Sequence, residues 1–110
     1  MLSAPSSAPT GLTATDVGQR NITIEWSPPP AEDWNGVIRF YILEIVEIET
    51  GAVLTINLTT TGEILGNLHP YYTYHISIAA VTLDIGPFSL PISVTTLQAG
   101  MYMLATFKPY

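Results

Sequence analysis

Hydrophobic and polar residues alternate one by one in the segment 74–80, and this pattern predicts a β-strand. Tyr74, Ile76 and Ile78 share one side of the extended chain, and the intervening residues share the other. A period of two is typical of a strand with one buried face. The residues predicted to face outward are His75, Ser77 and Ala79.

Six further segments show the same alternation or a short apolar run bounded by turn residues. In chain order they lie at about residues 12–17, 21–26, 37–45, 54–58, 64–65 and 90–96. Asn35-Gly36 and Thr50-Gly51 are among the turn signals between them, and no long stretch has the period of a helix. Seven short strands with regularly spaced turns predict an all-β sandwich of antiparallel strands.

The predicted core contains Trp26, Tyr41, Leu68 and Tyr74. Trp26 and Tyr41 each belong to the apolar side of an alternating strand. Leu68 precedes Tyr74 at a corner, where a tyrosine can bury its ring and turn its hydroxyl back to the backbone. We therefore expect Tyr74 to fasten this corner of the sandwich.

The strand that contains Tyr41 has a register problem at its end. If the parity of Tyr41 continued, Glu47 would point into the core and Val46 would point out. A shift of one residue exchanges the two faces of a strand, and a β-bulge makes this exchange locally. The sequence therefore predicts a bulge near Ile45 and Val46.

The small number of charged residues, and of basic residues in particular, argues against some classes of binding partner. The 110 residues suit one domain with its own core, and 47% of them are hydrophobic against 11% charged. The formal net charge is -6, with Arg20, Arg39 and Lys108 as the lysine and arginine residues. Nucleic acids and anionic membrane surfaces attract clustered lysine and arginine, so neither is an expected partner. Direct membrane insertion is not expected, because no apolar run approaches the roughly 20 residues of a membrane span.

Residues with catalytic or metal-binding chemistry are few. The absence of cysteine excludes disulfides, zinc-thiolate sites and cysteine nucleophiles, although it leaves the cellular compartment undecided. His75 and Ser77 share a face with Asp84 nearby, but two residues apart on a strand they stand side by side rather than as nucleophile, base and orienting group. Glu32 and Asp33 supply too few oxygens for calcium. We therefore expect no catalytic residues, no metal and no cofactor.

The two ends of the chain differ in composition from its middle. Prolines predict that residues 1–7 form an extended linker, and the sandwich is expected to span residues 8–98. Residues 99–110 form a largely apolar tail. Vector-derived residues, the start of a following segment and a strand that pairs with a sheet edge are all open for this tail. Of these we favour pairing with an edge or with another molecule, which would give weak self-association.

The order of these features resembles the fibronectin type III domain over about residues 8–97. The residues that carry the resemblance are Ala8-Pro9, Leu12, Trp26 with Pro28-Pro29, Asn35-Gly36 before Tyr41, Leu68 and Pro70 before the segment 74–80, Gly86-Pro87-Phe88-Ser89, and Pro91 before Thr96. The resemblance implies an immunoglobulin-like sandwich with sheets A-B-E and C-C'-F-G. It also implies a domain without catalytic residues or cofactors, found in tandem in cell-surface receptors, adhesion proteins and matrix proteins.

Two N-glycosylation sequons favour an extracellular location of the domain. They are Asn21-Ile22-Thr23 and Asn57-Leu58-Thr59, and both asparagines are expected at outward positions. Such tripeptides also arise by chance in a threonine-rich chain. The integrin-binding tripeptide Arg-Gly-Asp of some family members is absent.

A second candidate site is a protein-contact patch. Phe40 and Ile42 have the parity opposite to Tyr41, so they are expected to face outward beside His75, with Trp34 in the preceding loop. Exposed aromatic and aliphatic side chains in a charge-poor face are typical of protein interfaces. The alternative is that Trp34 folds over the end of the sandwich and covers Phe40.

The expected function is therefore that of a non-catalytic interaction and spacer module. The resemblance places it in the extracellular region of a single-pass cell-surface receptor or adhesion protein, such as a receptor-type tyrosine phosphatase, or in a secreted protein. Its expected partners are neighbouring domains or a partner ectodomain. The other open interpretation is an accessory domain of a larger enzyme or an intracellular scaffold, and the sequons favour the first.

Overall fold

A computed structural model describes residues 2–98 of the chain as a two-layer β-sandwich with seven strands. The strands are β1 (Thr10–Val17), β2 (Ile22–Ser27), β3 (Phe40–Glu47), β4 (Val53–Leu58), β5 (Gly62–Leu65), β6 (Thr73–Val81) and β7 (Ile92–Thr95), with a short 3-10 helix at Ala31–Asp33. One sheet has the order β1-β2-β5 and the other β4-β3-β6-β7, and all pairings are antiparallel. This arrangement confirms the predicted all-β sandwich and its A-B-E and C-C'-F-G sheets.

The core lies between the inner faces of the two sheets. Alternate residues of β2, β3 and β6 are buried there, as the two-residue period predicts. Its buried hydrophobic members are Ile22, Ile24, Trp26, Tyr41, Leu43, Ile45, Leu65, Leu68, Tyr74, Ile76, Ile78, Ala80 and Val94. Trp26 of one sheet meets Tyr41 of the other edge to face, with ring centroids 5.6 Å apart and planes at 71°. Such a contact joins the two layers of the sandwich.

A regular register runs through β3, and the bulge predicted near Ile45 and Val46 is wrong. Ile45 pairs with Leu54 and Ile76, Val46 with Val53 and His75, and the β3–β4 and β3–β6 ladders contain no shift. Glu47 therefore has the same inward parity as Tyr41, whereas the predicted bulge would have turned it outward. It can face inward because it lies at the end of the sandwich and its carboxylate accepts hydrogen bonds from Thr50 Oγ1 at 2.6 Å and from the Tyr74 hydroxyl at 3.0 Å.

β3 begins three residues later than the sequence pattern predicts. Phe40 pairs with Val81, which is the last residue of β6, so residues before Phe40 have no ladder partner. Val37, predicted as the start of the strand, is 77% exposed.

Tyr74 sits at the corner between β5 and β6. Its ring is 2% exposed, and its hydroxyl accepts the backbone N–H of His69 at 2.8 Å while donating to Glu47 Oε2. Leu68, the residue before His69, is buried beneath it. The Tyr74 hydroxyl thus hydrogen-bonds both to the segment that precedes β6 and to the last residue of β3.

The segment before β1 crosses one end of the sandwich. The backbone N–H of Ser3 donates to Asn35 O, the N–H of Ser6 donates to Asp33 O, and Thr82 Oγ1 donates to Ser3 O at 2.6 Å. Pro5 is buried against Gly86, where a Cβ atom would come within 2.9 Å of the proline ring. Residues 3–6, predicted as part of a linker, are therefore hydrogen-bonded to the loops at this end.

The prediction that the C-terminal tail pairs with a sheet edge or with another molecule concerns residues 99–110, which lie outside the described part of the chain.

Candidate interaction surface

The outer face of the four-stranded sheet is nearly uncharged and mixes apolar with small polar side chains. Its residues alternate with the core positions of β4, β3, β6 and β7, so the register defines the face directly. Across the two central strands Phe40 lies opposite Val81, Ile42 opposite Ala79, Glu44 opposite Ser77, and Val46 opposite His75. Among the outward residues of these four strands, Glu44 is the only one with a formal charge when histidine is neutral.

The four residues predicted as a contact patch are all half-buried. Phe40, Ile42 and His75 belong to the outer face, and each retains some exposed surface. Trp34 follows the 3-10 helix, where its Nε1 donates to Pro29 O at 2.7 Å. This hydrogen bond fixes the indole against its own loop. In the described part of the chain, no ring pairing joins Trp34 to Phe40.

The middle of the outer face is more buried than the sequence predicts. Ser77 is 8% exposed and Ala79 is fully buried, although both have outward parity and were expected at the surface. Both side chains are small, and β6 is a central strand between β3 and β7. The larger side chains of Ile42 and Glu44 lie opposite them on β3, and cross-strand neighbours of this kind can shield small side chains from solvent.

The histidine and serine considered as a nucleophile pair are poorly placed for that role. Ser77 is buried and His75 half-buried on the same strand, and among the hydrogen bonds of residues 2–98 none joins their side chains. Asp33 accepts a hydrogen bond from Ser7 Oγ at 2.8 Å instead of facing an open site. Within residues 2–98, no group of three or more histidine, cysteine, aspartate or glutamate side chains is placed to hold a metal ion.

Ionisable groups with shifted titration meet at the Tyr74 corner. Burial raises the pKa of the Tyr74 hydroxyl, and the hydrogen bond to Glu47 acts in the same direction. The hydrogen bond from Thr50 lowers the pKa of Glu47, assisted by the hydrogen bond from Tyr74 and the nearby His69. Burial and the hydrogen bonds near Tyr74 account for both pKa shifts, so the shifts indicate a structural role for these groups.

Both sequon asparagines are exposed. Asn21 lies in the turn before β2, where its backbone carbonyl accepts the N–H of Gly18 at 2.8 Å. Asn57 lies on β4, paired with Ile42 across the ladder, and β4 is an edge strand. The sequence correctly placed both side chains outward, but the edge position of Asn57 required the strand order.

Two clusters of exposed apolar side chains were missed by the sequence reasoning. Leu2, Val37 and Leu83 line a cleft of about 250 Å³ at the end of the sandwich where the N-terminal segment crosses. Val53 and Leu54, 58% and 55% exposed, lie on edge strand β4. The only sequence signal was their hydrophobicity, which in a strand normally predicts burial.

No helix in residues 2–98 is long and apolar enough to span a membrane.

Comparison with known proteins identifies the family. The model of the fibronectin type III domain matches residues 7–95. Protein sidekick-2 of Gallus gallus is 35% identical over 100 residues, which are 86% of this chain and 5% of that protein. The tyrosine-protein phosphatase Lar of Drosophila melanogaster is 34% identical over 97 residues, again 86% of this chain and 5% of the relative.

A solved structure agrees with these matches. The crystal structure of the FN5 domain of Drosophila Lar superimposes with a TM-score of 0.68 at 26% identity, and the match covers 86% of this chain and 98% of that one. The relatives are cell-surface receptor and adhesion proteins with repeats of this domain, and the domain itself is non-catalytic. The chain spans about a twentieth of the length of the first two relatives. Sequence, strand order and structural likeness agree, and the chain belongs to the fibronectin type III domain family.

Proposed function

We propose that this chain is an extracellular repeat of a cell-surface receptor or adhesion protein, where it spaces neighbouring domains and contacts a protein partner. Any catalytic activity of the parent protein would then belong to a separate domain, as the name of the relative Lar suggests. The observation that carries the contact role is the nearly uncharged outer face of the four-stranded sheet.

The contact surface that we propose consists of Trp34, Phe40, Ile42 and His75. Three of these side chains are half-buried on one sheet face, so a partner could cover them without reorganising the domain. Ser77 and Ala79 on the neighbouring strand are buried, so a partner would contact the larger, half-buried side chains around them. Aromatic and aliphatic side chains around a desolvated centre are the usual source of binding energy in protein interfaces.

Replacing Phe40 by serine together with Ile42 by threonine tests whether this face is a surface or part of the core. We expect the double variant to precipitate at a higher ammonium sulfate concentration than the wild type, because apolar surface has been removed. The melting temperature should remain nearly unchanged, since neither side chain belongs to the core cluster.

Leu43→Thr is the matched control, because Leu43 follows Ile42 on the same strand, has the opposite parity and is fully buried. It should lower the melting temperature strongly. If the double variant loses as much stability as Leu43→Thr, Phe40 and Ile42 are core residues and the proposed contact face is wrong.

The extracellular part of the proposal is supported by the two exposed sequons. In N-glycosylation the side-chain amide nitrogen of asparagine bonds to the anomeric carbon of an oligosaccharide. The donor is an oligosaccharide linked through its anomeric carbon to a polyisoprenyl diphosphate. The bond from that carbon to the diphosphate oxygen breaks, the polyisoprenyl diphosphate leaves, and the amide nitrogen loses one proton. Asn21 and Asn57 both lie at the surface with the required threonine two residues later.

Intact-mass measurement after secretion from a mammalian host tests this part. We expect at least one added oligosaccharide, removable by peptide N-glycosidase, and its loss in either Asn21→Gln or Asn57→Gln identifies the site used. The same chain made in a bacterial host provides the unmodified reference mass. A secreted product with only the unmodified mass would refute the glycosylation proposal.

A further inference from the structure

Three of the four sheet edges carry features that oppose pairing with another strand. β1 contains two register shifts against β2 and lies beside β7. β7 has only four residues and follows Pro91. β5 also has four residues, of which the first is Gly62 and the second Glu63. Short length, irregular register, proline and charge are the usual protections of an exposed edge.

β4 has none of these protections. It pairs with β3 over six consecutive residues without a shift, and its other edge has no strand beside it among the described residues. The stretch 50–62 contains no charged residue and no proline. Val53 and Leu54 on this strand are more than half exposed. An uninterrupted, uncharged and partly apolar edge is a template for strand addition.

We propose that β4 pairs antiparallel with β4 of a second copy of this chain, and that a glycan on Asn57 prevents this pairing. The first part follows from the domain alone. The second part rests on the proposed secretion and glycosylation of the chain.

The pattern of β4 suits pairing with itself. Leu54, Ile56 and Leu58 alternate with polar residues on the other face. A twofold axis perpendicular to the sheet and centred on a strand residue sets each inward side chain opposite another inward side chain. Two copies would then form one sheet of eight strands, four from each copy, with a continuous apolar inner side.

The surface beside β4 supports the same occupant. Ile45, Val53, Leu54 and Leu68 contribute to a cleft of about 430 Å³ at the open end of the inner face next to this edge. A second copy on β4 would cover part of this apolar surface. Within residues 2–98 each copy has one unprotected edge, so pairing through this edge closes at two copies and does not extend into a fibre.

Charged residues outside β4 determine how the stability of the proposed dimer depends on salt. The chain carries a formal net charge of -6, whereas β4 itself is neutral. Two copies therefore repel each other at long range, and salt screens this repulsion. Added sodium chloride is expected to strengthen the dimer, the opposite of an interface held together by ion pairs.

Asn57 is placed where a glycan would prevent pairing. It is an exposed residue of β4 itself, one position before the strand ends at Leu58. An oligosaccharide there would project from the outer face at the free edge, and its bulk would obstruct the approach of a second copy to β4. The modification would give β4 the protection that bulges, brevity, proline or charge give the other edges.

Sedimentation velocity of the full, unglycosylated chain from a bacterial host tests the first part. We expect a reversible monomer–dimer equilibrium at high protein concentration, strengthened by salt, with hydrogen exchange at the β4 amides slowing as concentration rises. Thr55→Lys should keep the fold, because Thr55 faces Glu44 across the ladder. It should remove the dimer by bringing two lysines close together near the middle of the paired β4 strands. Thr13→Lys on β1, which faces Glu25, is the matched control and should leave the dimer intact.

A monomer at every concentration would overturn the edge pairing. So would a dimer that persists unchanged in Thr55→Lys, because its interface would then lie elsewhere, for example in residues 99–110. Neither result depends on whether the chain is secreted or glycosylated.

The secreted chain tests the second part. The species with a glycan on Asn57 is expected to remain monomeric under conditions in which the bacterial chain dimerises. Thr59→Ala, which removes the sequon but lies outside β4, should restore the dimer in the secreted product. A dimer in the species glycosylated at Asn57 would overturn the switch. An unmodified Asn57 would overturn the switch, while the pairing of the bacterial chain would stand. The proposed glycosylation would fail with it only if Asn21 were unmodified as well.

Discussion

Replacing Trp26 by alanine is expected to destabilise the domain by about 3–5 kcal/mol. Trp26 is 5% exposed and packs edge to face on Tyr41 of the opposite sheet. Removing the indole leaves a cavity at the contact that joins the two layers. A typical domain of this size has a total stability of about 5–15 kcal/mol, so this one change removes at least about a fifth of it.

Urea denaturation measures this loss, with the m-value checking that the unfolding transition remains cooperative. Trp34→Ala is the matched control, because it removes the other tryptophan of the chain from a half-buried loop position. We expect Trp34→Ala to cost clearly less than Trp26→Ala. Equal losses would contradict the different roles assigned to the two tryptophans, one in the core and one in the proposed contact surface.

Trp26→Phe separates the packing of the ring from its polar group. The Nε1 of Trp26 is buried and has no hydrogen-bond partner among the described residues, which is unfavourable for an indole N–H. Phenylalanine keeps an aromatic ring against Tyr41 and removes this N–H. We expect a loss well below that of alanine, because part of the lost packing is offset by the removed polar group.

The sequence predicted the strands well where one face is buried and the other is not. In β2 and β6 the inward residues are large and apolar at every second position, so register and core follow from the period alone. The prediction failed at Glu47, where parity and polarity disagree. The sequence could not show that Tyr74, which is distant along the chain but pairs with Glu47 in the sheet, would donate a hydrogen bond to the inward carboxylate of Glu47.

The candidate surface was harder to predict than the core. Parity assigns a residue to a face, but it does not tell how far neighbouring strands shield that face, as Ala79 shows. Whether a strand lies at an edge is likewise a property of the strand order, not of its own residues. Asn57 was recognisable as a sequon, but its position on the unprotected edge β4 emerged only from the sheet topology.

Replacing Tyr74 by phenylalanine is expected to destabilise the domain by about 1–3 kcal/mol, although only one oxygen atom is lost. The Tyr74 hydroxyl accepts the N–H of His69 at 2.8 Å and donates to Glu47 at 3.0 Å, so its removal leaves two groups without this partner. Tyr71→Phe is the control, because the Tyr71 ring is 67% exposed and its hydroxyl can remain solvated. Comparable losses for the two variants would show that the corner hydrogen bonds add nothing to stability.

The same corner predicts how stability depends on pH. Because the pKa of Glu47 is lowered in the folded state, first by Thr50 and then by Tyr74, its contribution is present above the unfolded-state pKa and lost as pH falls through the folded-state value. The difference in unfolding free energy between wild type and Glu47→Gln should therefore shrink between about pH 6 and about pH 3. Tyr74→Phe removes one of the causes of the lowered pKa, so the pH-dependent part should be smaller in that background. A difference that stays constant over this range would mean that the charge of Glu47 is not coupled to folding.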